Sequence, residues 1–337
     1  MNHIRRLSAP SSHRAAPEPQ VRNFIFVLLD QFTMLSFSCA IESLRLANRN
    51  ADRRLYTWKI AAETPEVRCS NGITFKADIG LSEVNREDTI LVCGGVDIAQ
   101  HSTKKVISWL RREARRGPMI GGLCTAAHTL ALAGLLDGKR ATIHWENHDS
   151  FFEEFEDVTL TKSVFVVDGN RVTTAGGTSS IDLMLKFIAD DHGEDLANEV
   201  ADQLIYTTIR TDQDTQRLSV PTRIGVRHPK LANVIKTMEF HIEDPISPAT
   251  LADDVGMSTR QLERLFRRYL DRSPKRYYME LRLGKARNLL MQTDMSVINV
   301  ALACGFASPS HFSKCYRAHY ETTPYRERGS HAARLSI

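Results

Sequence analysis

The sequence predicts two differently built domains, an α/β unit followed by an all-α unit. Three observations carry this expectation. Across residues 23–190 short β-rich apolar runs alternate with helix-like runs, after Pro229 only helical signals remain, and within that last stretch one pattern occurs twice. The length of 337 residues is two or three times that of an ordinary domain, so more than one core is expected. Apolar residues at 42% and charged residues at 25% match globular averages and exclude a disordered, collagenous or coiled-coil chain.

The α/β unit begins with the apolar run NFIFVLL, residues 23–29, followed by an amphipathic stretch over 36–50 with Ile41, Leu44 and Ala47 at helical spacing. That is a βα unit. Further short runs at 56–62, 90–93 and 119–122 alternate with a helix over 103–116, the pattern of a parallel sheet covered on both faces. FVVDGNRVTTA then reads as a hairpin turning at Asp168, Gly169 and Asn170. A helical stretch over 198–208 closes the unit.

One stretch of this unit carries chemistry. In MIGGLCTAAHTLALAGLL a strand ends in Gly121 and Gly122, Cys124 sits at a sharp turn, and the small residues Thr125, Ala126 and Ala127 open a helix. This is the thiol counterpart of the G-x-S-x-G nucleophile elbow, in which small neighbours let the turn close and the helix N-terminus faces the site. A thiol there is expected to acidify, and an anion to find free N–H groups. His144, Trp145 and Glu146 follow the strand-like RATI and are expected to approach Cys124 from the next βα loop. Two readings compete. As an enzyme, Cys124 is the nucleophile, His144 its base and Glu146 an orienting carboxylate. As a sensor, Cys124, Thr125, His144 and Trp145 line a pocket that holds a metabolite and does no chemistry. Spacing does not decide between them.

The other cysteines, at 39, 69, 93, 304 and 315, fall in apolar strands or helices and are expected in the core, reduced. No C-x-x-C spacing occurs, so neither a disulfide scaffold nor a metal centre is expected, and no cofactor is indicated. Residues 1–21 have no apolar core of a secretion signal and read as a disordered tail, with a second tail at 329–337. No run of about 18 apolar residues occurs, so no membrane span is expected and the protein is expected in the cytoplasm. Residues 209–225 lose periodicity and read as a linker between domains at 22–208 and 226–328.

Charge divides with the domains. Residues 23–225 hold 22 Lys and Arg against 28 Asp and Glu, a balance of −6, whereas residues 226–328 hold 17 against 11, a balance of +6. A basic C-terminal unit suggests a polyanionic partner, with nucleic acid the usual candidate.

The repeat makes that partner specific. Ser247, Ala252 and Gly256 recur 49 residues on as Ser296, Ala301 and Gly305, and Ser258, Leu262, Phe266 and Ser273-Pro274 recur 50 residues on as Ser308, Phe312, Tyr316 and Thr323-Pro324. One residue is inserted near Ala307. Each copy, at about 247–269 and 296–319, reads as helix, tight turn, helix. In the first, Ser247 caps a helix with Pro248 at its first position, Gly256 permits the turn, and Ser258 with Gln261 forms a capping box. The second helix then buries Leu262, Leu265, Phe266 and Tyr269 and turns Arg260, Arg264 and Arg267 outward, flanked by Gln261 and Arg268. In the second copy Phe312 and Tyr316 face inward and Ser310, Lys314 and Arg317 outward, with His311 on the flank. These are helix-turn-helix units, whose second helix enters the major groove. Arg suits guanine and Gln suits adenine, because each makes two hydrogen bonds to one base, while Arg267, Arg268 and Arg317 are better placed for phosphates. A spacer helix from Ser273-Pro274 to about Gln292 should set the two reading helices about 10 bp apart.

The run RSPKRYYMELRLGKARNLL, followed by SVINVALACGFASPSHFSKCYRAHYETTPYRER, resembles the DNA-binding domain of the AraC family of bacterial transcription regulators over about residues 228–328. The resemblance implies sequence-specific binding of promoter DNA, usually as an activator that contacts RNA polymerase. Residues 23 to about 205, through ALAGLLDGKRATIHWE and TTAGGTSSIDLMLKFI, resemble the PfpI-like, class I glutamine-amidotransferase-like domain, in the version fused to such regulators. That implies a flavodoxin-like α/β sandwich. The hydrolase relatives commonly carry His directly after the cysteine, where this sequence has Thr125. In the fused regulators the domain is taken to sense a small-molecule effector, often a nitrogen metabolite such as arginine, carnitine or glycine betaine, and the Trp145 indole suits a quaternary ammonium group. The expected protein is therefore a metabolite-controlled regulator, with a cysteine-dependent amidohydrolase-like enzyme fused to a DNA-binding domain as the alternative. Paired sites would favour a homodimer.

Overall fold

The structure, a computed structural model, describes residues 21–216 and 228–328. Except for Val21, the expected terminal tails lie outside the described residues, as does the linker beyond Gln216. In the first region the elements run β1 (Arg22–Leu28), α1 (Met34–Asn50), β2 (Tyr56–Ala61), β3 (Glu66–Arg68), β4 (Thr74–Lys76), β5 (Thr89–Cys93), α2 (Ile98–His101), α3 (Lys104–Ala114) and β6 (Met119–Leu123). They continue with α4 (Ala127–Leu132), β7 (Arg140–Ala141), α5 (His148–Glu154), β8 (Thr159–Leu160), β9 (Phe165–Asp168), β10 (Arg171–Thr174), α6 (Ser179–His192) and α7 (Glu194–Gln203).

Six strands form one sheet in the order β2-β1-β5-β6-β10-β9, parallel except for the hairpin partner β9. Because successive side chains of a strand point to opposite faces, the continuous apolar run of β1 serves two cores. Phe24, Phe26 and Leu28 pack with α1 and α6, including Leu44 and Leu185. Ile25 and Val27 pack with α3, α4 and α5, including Leu110, Leu130 and Phe151. The fold is the flavodoxin-like α/β sandwich.

Three local expectations need correction. The RATI segment reaches only two residues of strand, and β7 pairs with β8 in a separate ribbon, not in the main sheet. Thr142 has left the ladder, its N–H donating to Thr173 Oγ1 at 2.9 Å. The helix expected to run to residue 208 ends at Gln203, because Ile205 is left-handed at φ 53° and the Tyr206 N–H returns to the Ala201 carbonyl. The first part of the presumed linker is docked. Arg210 pairs with the fully buried Asp182 carboxylate at 2.7 Å, Tyr206 donates to the same group, and Gln216 Nε2 lies 2.8 Å from Thr142 Oγ1 and from the Ile143 carbonyl.

The second region is all helix: α8 (Pro229–Phe240), α9 (Pro248–Asp253), α10 (Thr259–Leu270), α11 (Pro274–Gln292), α12 (Val297–Ala303) and α13 (Pro309–Tyr320). Ser247, Ser258, Ser273, Ser296 and Ser308 each cap a helix with their side-chain oxygen, and Ser258 with Gln261 forms the capping box. Each cap satisfies backbone donors a helix start leaves free, worth about 1 kcal/mol apiece. The helices divide into two cores. Tyr278 of α11 belongs to the first, with Leu231, Ile235, Leu251, Leu262 and Phe266. Leu283, Leu289 and Leu290 of α11 belong to the second, with Val300, Phe306, Phe312 and Tyr316. A single helix of 19 residues, about 28 Å long at 1.5 Å per residue, therefore fixes one helix-turn-helix relative to the other.

Candidate nucleic-acid interface and elbow pocket

Both turns need glycine. Gly256 has φ 60° and Gly305 φ 71°, the left-handed region that L side chains rarely adopt. From these turns α10 and α13 emerge with one face buried and the other bare. On α10, Leu262 and Phe266 are buried, while Arg260, Gln261, Arg264, Arg267 and Arg268 are all exposed. On α13, Phe312 and Tyr316 are buried, while Ser310, His311, Lys314 and Arg317 are exposed. Three of these side chains have local partners. The Gln261 carbonyl oxygen accepts the Ser258 N–H at 2.8 Å, which leaves only its amide donors for an adenine until the cap opens. The Arg268 guanidinium lies over Tyr269 at 5.2 Å, and His311 Nε2 lies 3.4 Å from Cys315 Sγ. Cys315 and Cys39 are only half-buried, against the expectation of core placement, because both lie at the margin of their helix's buried face.

Sequence reading missed Glu263. It is exposed between Arg260 and Arg267 on the outward side of α10, and the same 100° wheel that located the arginines could have found it. A carboxylate only accepts hydrogen bonds, which suits a cytosine amino group and opposes a guanine edge or a phosphate.

The second helix-turn-helix packs against the loop that leads into the first as well as against α11. A Cβ at Gly305 would lie 2.6 Å from the Ile242 and Glu243 carbonyl oxygens, so the second turn abuts the loop after α8. Arg282 of α11 donates to the Cys304 carbonyl at 2.8 Å and to the Gly305 carbonyl at 2.6 Å, with its guanidinium 4.1 Å from the Phe306 ring centre.

In the α/β region the elbow is real. Cys124 follows β6 with φ 63°, a strained value for a non-glycine residue. Glycines let the chain pack closely around it. A Cβ at Gly176 would lie 2.8 Å from Cys124 Sγ, one at Gly94 2.6 Å from the Ala126 nitrogen, and one at Gly122 2.8 Å from the Ala127 nitrogen. Glycine pairs at the ends of β5 and, one residue on, of β10, in LVCGG and TTAGG, were the missed signal for this close packing.

The thiol has company of a particular kind. Cys124 is only 5% exposed, with its Sγ 3.6 Å from Thr33 Oγ1. Burial pushes the thiol above its ordinary value; Thr33, the Thr125 backbone and Ser36 favour the thiolate by hydrogen bonding but are outweighed, and the Glu146 charge adds to the rise. The expected acidification is overturned by desolvation. Thr125 is buried with its hydroxyl donating to the Gly95 carbonyl at 2.7 Å. His144 Nδ1 is 3.7 Å from Glu146 Oε2, its ring is tilted against Trp145 at 5.6 Å, and burial lowers its basicity against the pull of Glu146. Glu146 lies beside His144 and acts electrostatically on Cys124, and among the described residues no hydrogen bond joins His144 to the thiol. Trp145 keeps 41% of its surface exposed. Among the described residues no group of three or more His, Cys, Asp or Glu is placed to hold a metal ion, and no helix is long and apolar enough to cross a membrane.

Comparison with known proteins matches both regions. Residues 22–190 match the DJ-1/PfpI family and residues 251–330 a helix-turn-helix domain. The chain is 46% identical over 309 residues to the HTH-type transcriptional regulator CdhR of Pseudomonas aeruginosa, covering 91% of each chain. It is 42% identical over 314 residues to the HTH-type transcriptional regulator GbdR of the same species, covering 92% of this chain and 86% of GbdR. A ThiJ/PfpI family protein from Pseudomonas syringae superposes with a TM-score of 0.50 at 18% identity, over 70% of this chain and 93% of that one, and bears on the fold alone. With the paired helix-turn-helix units and the elbow on one chain, these likenesses have one reading: the protein belongs to the AraC family of transcription regulators that carry an N-terminal DJ-1/PfpI domain.

Proposed function

We propose that this regulator grips promoter DNA with α10 and α13 together, takes its signal from a small-molecule effector in the elbow pocket, and does no chemistry there. The observation that carries the reading is the rigid pairing of two capped helices, each with a bare polar face, on the single connector α11. Arg260, Gln261, Glu263, Arg264, Ser310, His311 and Lys314 are assigned to base edges, and Arg267, Arg268 and Arg317 to phosphates. The division into a sensing domain, 22–208, and a DNA-binding domain, 226–328, follows the separate cores. Activation through RNA polymerase, a homodimeric state and a cytoplasmic location belong to the same proposal.

The absence of catalysis is supported by the thiol. A cysteine nucleophile works as the thiolate and needs a base or a lowered pKa, and at Cys124 burial and a neighbouring carboxylate act the other way. Cys124, Thr125, His144 and Trp145 are assigned to effector binding, with the exposed indole suited to a cationic head group such as that of carnitine or a betaine. Selection of bound genomic fragments, followed by anisotropy titrations with and without amino acids, carnitine and betaine, tests both halves. Cys124→Ala should keep DNA binding responsive to the effector, at a weakened effector affinity. Turnover of any of these metabolites by the wild type, lost in Cys124→Ala, would overturn the non-enzymatic reading. Peptide-mapped iodoacetamide labelling checks the thiol itself: because its pKa is raised, Cys124 should label more slowly than free cysteine at pH 8 and catch up only at higher pH.

A further inference from the structure

Among the described residues, the strongest contact between the α/β region and the DNA-binding helices runs through one segment, which also carries the His144 and Trp145 assigned above to the effector. Residues 142–154 leave the ribbon strand β7, pass through His144 and Trp145, and form α5. Both the Trp145–Asn147 turn and α5 lie against the connector helix α11. Ser150, buried on α5, is hydrogen-bonded to the side chain of Gln292, the last residue of α11, with 2.9 Å between Oγ and Oε1.

Charge favours this docking. Residues 145–158 carry six carboxylates and no Lys or Arg, whereas α11 brings Arg282 and Lys285 to this side. Asp149 and Glu153 of α5 and Lys285 and Arg282 of α11 are all near enough to act on the buried Cys304 thiol at the end of α12. Lys162 of the α/β region and Lys285 both act electrostatically on His148, whose buried Nε2 has no hydrogen-bond partner among the described residues.

The segment is tied at its other side to the elbow. His128 of α4, the helix that follows Cys124, lies 3.2 Å from Glu154 Oε2, and Phe151 packs in the core beneath α4. Gln216, where the chain leaves the α/β region, holds the start of the segment through Thr142 and Ile143. Elbow helix, the His144–Trp145 pair, departing chain and connector therefore meet on thirteen consecutive residues.

We propose that residues 142–154 are the coupling element of this regulator: what fills the elbow pocket acts on His144 and Trp145, and the same segment passes that change to α11 through the Ser150–Gln292 contact. The proposal rests on the reading of the elbow as the effector pocket. It needs no second site and no covalent step. Because α11 sets the relation between the two reading helices, a shift of its end changes how well both fit one DNA face. Coupling between sites is reciprocal, so DNA must act back on the segment.

That reciprocity gives a test requiring no effector. Hydrogen–deuterium exchange is followed on the full chain, free and saturated with a promoter duplex obtained by selection from genomic DNA. DNA should change exchange in residues 142–154 by about fivefold or more, the lower end of ordinary allosteric coupling. In Gln292→Ala, and separately in Ser150→Ala, protection of α10 and α13 by DNA should persist while the change at 142–154 collapses. No change at 142–154 in the wild type, or a change that survives both substitutions undiminished, would overturn the proposal. Either result leaves effector binding itself to the metabolite titrations, so failure of the coupling is distinguishable from failure of the pocket.

Discussion

The two helix-turn-helix units share a fold and divide its labour unequally. The first presents Arg260, Arg264, Arg267 and Arg268 beside one carboxylate, Glu263, whereas the second presents Lys314 and Arg317 beside Ser310 and His311. Their turns differ too. The Gly256 carbonyl is met by Lys230 Nζ at 3.3 Å, while the Gly305 carbonyl is held by the Arg282 fork at 2.6 Å and the turn abuts the loop that leads into the first unit. Exposed cationic charge is concentrated in the first unit, and the more tightly held turn belongs to the second. A duplicated motif can thus keep its caps and core while exposed face and turn environment diverge, since caps and core are what each copy needs to form its own helices.

The widest separation is expected at the glycines. Gly256→Ala meets only Lys230 Nζ at 3.9 Å, so its cost is the left-handed backbone, about 1–2 kcal/mol. Gly305→Ala adds overpacking against two carbonyl oxygens at 2.6 Å and should cost about 3 kcal/mol or more. Thermal unfolding of both variants checks this, and equal losses would mean that the second turn is not wedged against the loop that leads into the first unit.

Next in size is base reading. Arg264→Ala should weaken promoter binding by about 1–3 kcal/mol and relax specificity at one position. Lys314→Ala should cost under about 1 kcal/mol, since an ammonium lacks the planar fork that reads guanine. If Arg264→Ala leaves discrimination between promoter and random DNA unchanged, its assignment to a base fails.

A smaller effect separates the two turns. Arg282→Lys keeps a cation but loses the two-pronged contact with the Cys304 and Gly305 carbonyls and the stacking on Phe306, at about 1 kcal/mol of stability. Lys230→Ala removes only an exposed contact to Gly256 and should leave the unfolding midpoint nearly unmoved.

How much of this was legible in the sequence depended on whether the cause was local. Caps at Ser247, Ser258 and Ser308, the glycine turns and the buried Leu262, Phe266, Phe312 and Tyr316 follow from spacing alone, so the helical region reads directly. The elbow at Cys124 was legible as a turn, from its small neighbours. Its raised thiol was not, because burial by Thr33, Ser36 and Gly176 comes from chain segments some fifty to ninety residues away. Likewise RATI has strand composition, but the bond from Thr142 to Thr173 draws it out of the sheet. The docking of Arg210 on Asp182 also escaped notice, since an irregular polar segment looks the same whether free or pinned.

The finest separation concerns phosphates, where each neutralised contact changes the slope of log K against log salt by about 0.9. If Arg267 and Arg268 both meet the backbone beside the first reading helix, the variant Arg267→Ala/Arg268→Ala should flatten that slope by about 2. Arg317→Ala, alone in its role on α13, should flatten it by about 1 and weaken all sequences alike. Arg268 is the sharper probe of the pair. Its guanidinium rests over Tyr269 in the free protein, so Arg268→Ala measures whether DNA draws it off that ring. A slope unchanged by Arg268→Ala but lowered by Arg267→Ala would leave the first unit with one phosphate contact, as many as the second. The inequality between the halves would then lie in base reading alone.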